Sequence, residues 1–149
     1  MTSSGLKFVM LAVLCTTPAL AFADASAKGG GAVLVPAEDL KWNDVPGFDG
    51  VKMAVVDGNP GKGAAHVFMK FTPGFSAPQH FHAANHYVAV LAGTIVLGVD
   101  GKDYKLPAGS YFSFTGKKQH TTRCDVGADC VLFLDARSKW DVVPVKAKK

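Results

Sequence analysis

The chain has 149 residues, 48% of them hydrophobic and 19% charged, and its 16 Lys and Arg outnumber 12 Asp and Glu to give a formal net charge of +4 at pH 7. That length suits one domain with a genuine core and leaves no room for two. The small positive excess gathers partly in the tail Lys146-Ala147-Lys148-Lys149, without the interleaved Arg and aromatic residues of a nucleic-acid surface, so no nucleic-acid partner is expected.

Residues 1–23 read as a cleaved signal peptide. Lys7 supplies the positive start, Phe8 to Leu14 an apolar run, and Ala21-Phe22-Ala23 a small-x-small cleavage site. The run is far short of the roughly 20 residues that a membrane-spanning helix needs, so an uncleaved anchor is the weaker reading. A lipid-modified Cys15 is weaker still, because Leu14 stands where a small residue is expected. Cleavage takes Lys7 with it, lowers the net charge from +4 to +3, and implies a periplasmic or secreted protein with no membrane partner. Residues 24–39, rich in Ala, Ser and Gly at their start, read as a flexible leader.

The folded domain is expected over residues 40–143, with 144–149 as a basic tail. Lys41 to Gly47 suggests an edge strand or arm ending at a Pro-Gly turn, followed by a strand at 51–56 and a loop at 57–61. Ala65 to Phe71 alternates cleanly: Val67, Met69 and Phe71 take one face, His66, Phe68 and Lys70 the other. His66 accordingly reads as a surface or pocket-lining residue. Tyr87 to Leu91 and Thr94 to Val99 suggest a hairpin through Ala92-Gly93, and Tyr104 to Leu106 returns after Asp100-Gly101. Tyr111, Phe112 and Phe114 read as core, alongside Val88, Val90, Ile95, Val96, Leu97, Val131, Leu132 and Phe133. Nearly every segment is short, β-branched or aromatic, and bounded by Gly or Pro. That pattern argues an all-β fold, a jelly-roll-like barrel.

Four of the five histidines fall between Pro73 and His120, and three lie within seven residues: His80, His82 and His86. In a strand, residues two apart share a face, so His80 and His82 are able to grip one ion. His86 is roughly 13 Å farther along a straight strand, so the chain must bend through Ala83-Ala84-Asn85 and return it from a neighbouring strand. His120 joins them only if the intervening sheet closes on itself.

The segment from Gly74 through His80-Phe81-His82 and His86 to Gly93 resembles the first cupin motif, with His86 where that family usually has Glu. Gly101 to Gly109, with Pro107, resembles the opening of the second cupin motif, whose metal-binding His would here be His120. The resemblance implies a single-domain cupin, a jelly-roll β-barrel, and a metal held by His80, His82, His86 and His120. Imidazole donors suit a divalent transition metal, iron, zinc, nickel, copper or manganese, and disfavour magnesium and calcium. Lys117 and Lys118, just before His120, are either solvated surface charges or a preference for an anionic ligand.

Cys124 and Cys130, which remain after cleavage, read as a disulfide closing a hairpin, with a zinc pair as the rival. Two functions stand. One is a metal-dependent, dioxygenase-like enzyme acting on a small carbonyl or carboxylate compound; the other is a non-catalytic periplasmic module that binds or senses a ligand or a metal. No Asp or Glu lies between Gly58 and Val99 to serve as a general base, which favours direct metal chemistry or none. A homodimer stays open.

Overall fold

A computed structural model describes residues 31–146; the signal peptide expected at 1–23, the first part of the leader and the last three residues lie outside the described residues. After one 3-10 turn at Ala37–Asp39, the regular structure is strand throughout: β1 (Asn43–Asp44), β2 (Val51–Gly58), β3 (Ala65–Phe71), β4 (Ser76–Phe81), β5 (His86–Ala92), β6 (Thr94–Val99), β7 (Lys102–Pro107), β8 (Tyr111–Phe114), β9 (His120–Cys124), β10 (Cys130–Ala136) and β11 (Val143–Pro144). They form two antiparallel sheets, ordered β1-β2-β3-β10-β5-β8 and β11-β4-β9-β6-β7. Neighbours drawn from distant parts of the chain make this an all-β jelly-roll barrel.

Side-chain alternation decides which face of each sheet turns inward. In β3, Ala65, Val67, Met69 and Phe71 are buried, and in β10, which pairs with it, so are Cys130, Leu132, Leu134 and Ala136. Val88 and Val90 from β5 and Ile95 and Leu97 from β6 meet them from the two sheets. Two aromatics and one valine assigned to the core sit elsewhere. Phe133 and Val131 alternate outward on β10, where Phe133 packs edge-on against Phe68, and Tyr111 is 62% exposed. Phe112 and Phe114 do pack against the core.

Two hairpins read from the sequence are corners instead. β5 and β6 belong to different sheets, so Ala92-Gly93 carries the chain across the barrel rather than back along it. Gly93 has φ 70°, and a Cβ there would lie 2.6 Å from the Asp129 carbonyl oxygen and 2.9 Å from Cys130 Cα, so the corner needs glycine for both conformation and space. The same holds for the cysteines. Cys124 and Cys130 are bonded, with Cα atoms 5.8 Å apart, but they join the end of β9 to the start of β10 in opposite sheets. The bond is therefore a clamp between sheets and not a hairpin closure. The Asp100-Gly101 hairpin does form, between β6 and β7, with both residues at positive φ as a tight two-residue turn requires.

The chain end also differs from the simple tail expected after residue 143. Val143–Pro144 pairs with β4 opposite Phe81 and His80, and the Val145 N–H donates to the Gln79 carbonyl at 3.0 Å. Ordered pairing thus continues past the expected boundary and lies against the histidine strand.

Candidate metal centre

The four histidines reach one end of the barrel from both sheets. β4 brings His80, and its antiparallel pairing with β9 sets His80 directly opposite His120. His82 lies just beyond β4, and the bend at Ala83 to Asn85 crosses to the other sheet, where His86 opens β5. The bend is held by its own polar contacts: Asn85 Oδ1 accepts the Gly116 N–H at 3.1 Å, and the Asn85 carbonyl accepts the Arg137 N–H at 2.9 Å. Asn85 therefore ties the first histidine segment to the loop that delivers His120.

One ring nitrogen from each of His80, His82 and His120 lies within 4.8 Å of the other two. His86 sits beside this group, its ring centre 4.7 Å from that of His82 and 6.3 Å from that of His120. All four side chains are buried, between 2% and 7% exposed. His66 stands apart on the outer face of β3, 3.6 Å from both Asp57 and Asp135, and does not line the interior.

The hydrogen bonds fix which nitrogen each ring offers. Nδ1 of His80 meets the Pro78 carbonyl at 2.7 Å, that of His86 the Ala84 carbonyl at 3.1 Å, and that of His120 the Lys118 carbonyl at 3.0 Å; Nδ1 of His82 meets the Asp141 carbonyl. A carbonyl oxygen only accepts, so each Nδ1 must carry the proton and each Nε2 must keep its lone pair. That is the outer-shell arrangement that orients imidazoles toward a metal. Aromatic stacking fixes two ring planes as well, with Phe114 on His120 and Trp140 on His82, each at 4.0 Å between centres.

Electrostatics point the same way. Burial pushes the pKa of His82 down to about 3 and that of His120 down to about 4, and lowers those of His80 and His86. At neutral pH the rings are uncharged and free to donate an electron pair. The donor set, all nitrogen and with no carboxylate among the lining residues, fits a transition metal rather than magnesium or calcium.

The histidines line a cavity of about 70 Å³ whose other walls are almost wholly apolar. Met69, Phe71, Phe75, Leu132, Leu134 and Trp140 are among them, and Thr122 is the one hydroxyl. Lys117 and Lys118 are not: both are exposed, and Lys118 is spent on the Asp100 carboxylate at 2.7 Å. They sit with Lys102 and Arg123 on a separate polar groove outside the barrel. Sequence reasoning missed Trp140, Asp141 and Asn85, whose roles depend on contacts with distant segments and leave no local pattern.

A cupin domain model (Cupin_2) matches residues 67–136, the stretch holding all four histidines and both sheets' central strands. The transcriptional regulator PuuR of Escherichia coli, a helix-turn-helix protein, is 40% identical over 73 residues, 47% of this chain and 40% of that protein, so the chain spans well under half the length of this relative. Among solved structures, the polyketide cyclase RemF of Streptomyces resistomycificus superposes with a TM-score of 0.66 at 21% identity, covering 78% of this chain and 87% of that one. A protein of Thermotoga maritima described as a predicted oxalate decarboxylase gives 0.60 at 20% identity, over 70% and 98%. Identities this low speak for shared architecture alone. The domain match is stronger, since it rests on residues in sequence order, and it falls on the strands that carry the histidine cluster; on that ground residues 67–136 are a cupin domain.

Proposed function

We propose that the protein is a metal-binding cupin whose ion is held by Nε2 of His80, His82 and His120, with His86 as a fourth donor in the place the family usually gives to Glu. The observation that carries this reading is the uniform pairing: four buried imidazoles line one cavity, each with Nδ1 on a backbone carbonyl, which leaves each Nε2 free for an ion. Iron, zinc, nickel, copper or manganese all suit such donors.

The reading extends to a metal-dependent enzyme, dioxygenase-like in reaction class. The bound ion supplies Lewis acidity and, for iron, copper or manganese, redox chemistry with dioxygen. What the chain adds is exclusion and orientation. No carboxylate, lysine or tyrosine lines the cavity to act as a general acid or base, so proton transfer from side chains is confined to the imidazoles and Thr122. The apolar walls favour a small, largely hydrophobic carbonyl compound over a highly charged one; a carboxylate would have to find its counter-charge on the ion itself, because the nearby lysines face away from the cavity. Export to the periplasm or beyond is part of the proposal, supported by the N-terminal Lys-apolar-AFA pattern and by the Cys124–Cys130 bond.

A second reading, a ligand-sensing module without turnover, is favoured by the 40% identity to part of a transcriptional regulator. Elemental analysis of protein purified from its own compartment, followed by oxygen uptake on small diketones and carboxylates, separates them. Near-stoichiometric transition metal with substrate-dependent oxygen uptake is the expected result. Metal with tight ligand binding but no uptake selects the module, and absence of metal from protein kept away from chelators removes both.

A further inference from the structure

Three of the four histidines find the acceptor for Nδ1–H two residues earlier in their own segment: Pro78 for His80, Ala84 for His86 and Lys118 for His120. His82 is different. Its acceptor is the Asp141 carbonyl, 59 residues downstream, in the segment 137–146 that follows β10. The Asp141 carboxylate oxygen Oδ1 also accepts the N–H of Ala83 at 2.8 Å, so one residue grips His82 and the residue after it. The preceding residue stacks on the same ring: Trp140 lies 4.0 Å from His82 with planes 19° apart, and stands edge-on to His86 at 5.0 Å. Val142 then lines the cavity, and Val143–Pro144 pairs with Phe81 and His80. The Arg137 guanidinium pairs with Asp135 at 2.7 Å and the Trp140 N–H donates to the Pro60 carbonyl at 2.8 Å; the other hydrogen bonds of this segment converge on residues 79–85.

We infer that this C-terminal strap is a working wall of the metal centre. Asp141 is a positioning residue for His82, and Trp140 closes the cavity over His82 and His86. Docking of the strap and capture of the ion therefore stabilise each other, because His82 keeps its Nε2 lone pair aimed inward only while the strap holds Nδ1–H. By linkage, whatever the strap adds to metal affinity, the metal returns to strap docking. The inference rests on the metal reading above.

Cobalt(II), which gives visible absorption bands at such sites, is the probe. The chain has two tryptophans, so Trp42→Phe, made on the outer face beside Lys70, leaves Trp140 as the sole emitter. Cobalt(II) titrated into that variant should quench the Trp140 emission in step with the absorption. Asp141→Ala keeps the carbonyl on His82 but removes the Oδ1 acceptor that seats the strap on Ala83; it should weaken cobalt(II) affinity by up to about 10-fold, the low end for an outer-shell change, and Asp141→Asn, which keeps the Oδ1 acceptor, should restore most of it. Amide exchange in residues 141–145 of the unaltered protein should slow when cobalt(II) is added, a readout that stands even where Asp141→Ala fails to fold. A merely structural strap would lower the melting temperature of Asp141→Ala with cobalt(II) affinity unchanged, and strap exchange would ignore the ion; either result overturns the inference while leaving the metal centre intact. No cobalt(II) binding by the unaltered protein overturns the metal reading and the strap with it.

Discussion

Replacing His120 with alanine lowers affinity for zinc by on the order of 100-fold or more, measured by competition against a chromogenic chelator. Structural zinc sites bind with about 10 to 16 kcal/mol shared over four ligands, so each ligand answers for roughly 3 kcal/mol. His120 is central to the group: its ring centre is 4.4 Å from that of His80 and 5.3 Å from that of His82, and its segment is the long-range partner that closes the cluster. The same change at His86 should cost less, about 10-fold, because His86 lies outside the group whose nitrogens approach within 4.8 Å of each other. Equal losses at both positions would make His86 a full ligand. No loss at His120 would mean that the second cupin motif does not supply a donor.

Gly93→Ala produces a large loss of stability for a one-methyl change at the corner between the sheets. The residue sits at φ 70°, where an L side chain costs about 1 kcal/mol or more. The new methyl would also fall 2.6 Å from the Asp129 oxygen, 2.9 Å from Cys130 Cα and 3.0 Å from its Sγ, atoms of backbone and disulfide that have little room to give. Overpacking of that kind adds about 1 to 3 kcal/mol, so the sum is about 3 kcal/mol out of a total stability that rarely exceeds 15 kcal/mol. Gly109→Ala is the control. It has φ 86° and no atom within 4 Å of the added methyl, so it carries the conformational cost alone. Urea unfolding should rank Gly93→Ala well below Gly109→Ala; equal midpoints would show that the inter-sheet corner is not tightly closed.

The barrel was legible where a pattern is local. Alternation in 65–71 gave the inward face of β3, the Asp100-Gly101 turn gave the hairpin between β6 and β7, and the cysteine pair gave its bond. What failed was the assignment of neighbours in sequence to neighbours in a sheet. Ala92-Gly93 and the Cys124 to Cys130 loop are as short as hairpin turns, but both cross between sheets, and only the contacts of Gly93 with Cys130 reveal why. Of the candidate site, the convergence of the four histidines was readable because imidazoles are rare and their spacing distinctive. Which three of them form the close group was not. His86 differs from the other three through the bend at 83–85, which is tied to Gly116 and Arg137, while Trp140 and Asp141 act on His82 from 58 and 59 residues away. A period along one strand carries no information about such partners.

If the protein is the metal-binding cupin proposed, the histidine Nε2 atoms share one ion. Anomalous difference density, collected at the absorption edge of the metal found in the purified protein, tests it most directly. A single strong peak is expected about 2.1 Å from Nε2 of His80, His82 and His120, with Nδ1 of each still on its carbonyl. A peak elsewhere, a peak bound through Nδ1, or no peak among the four rings in metal-loaded crystals would contradict it.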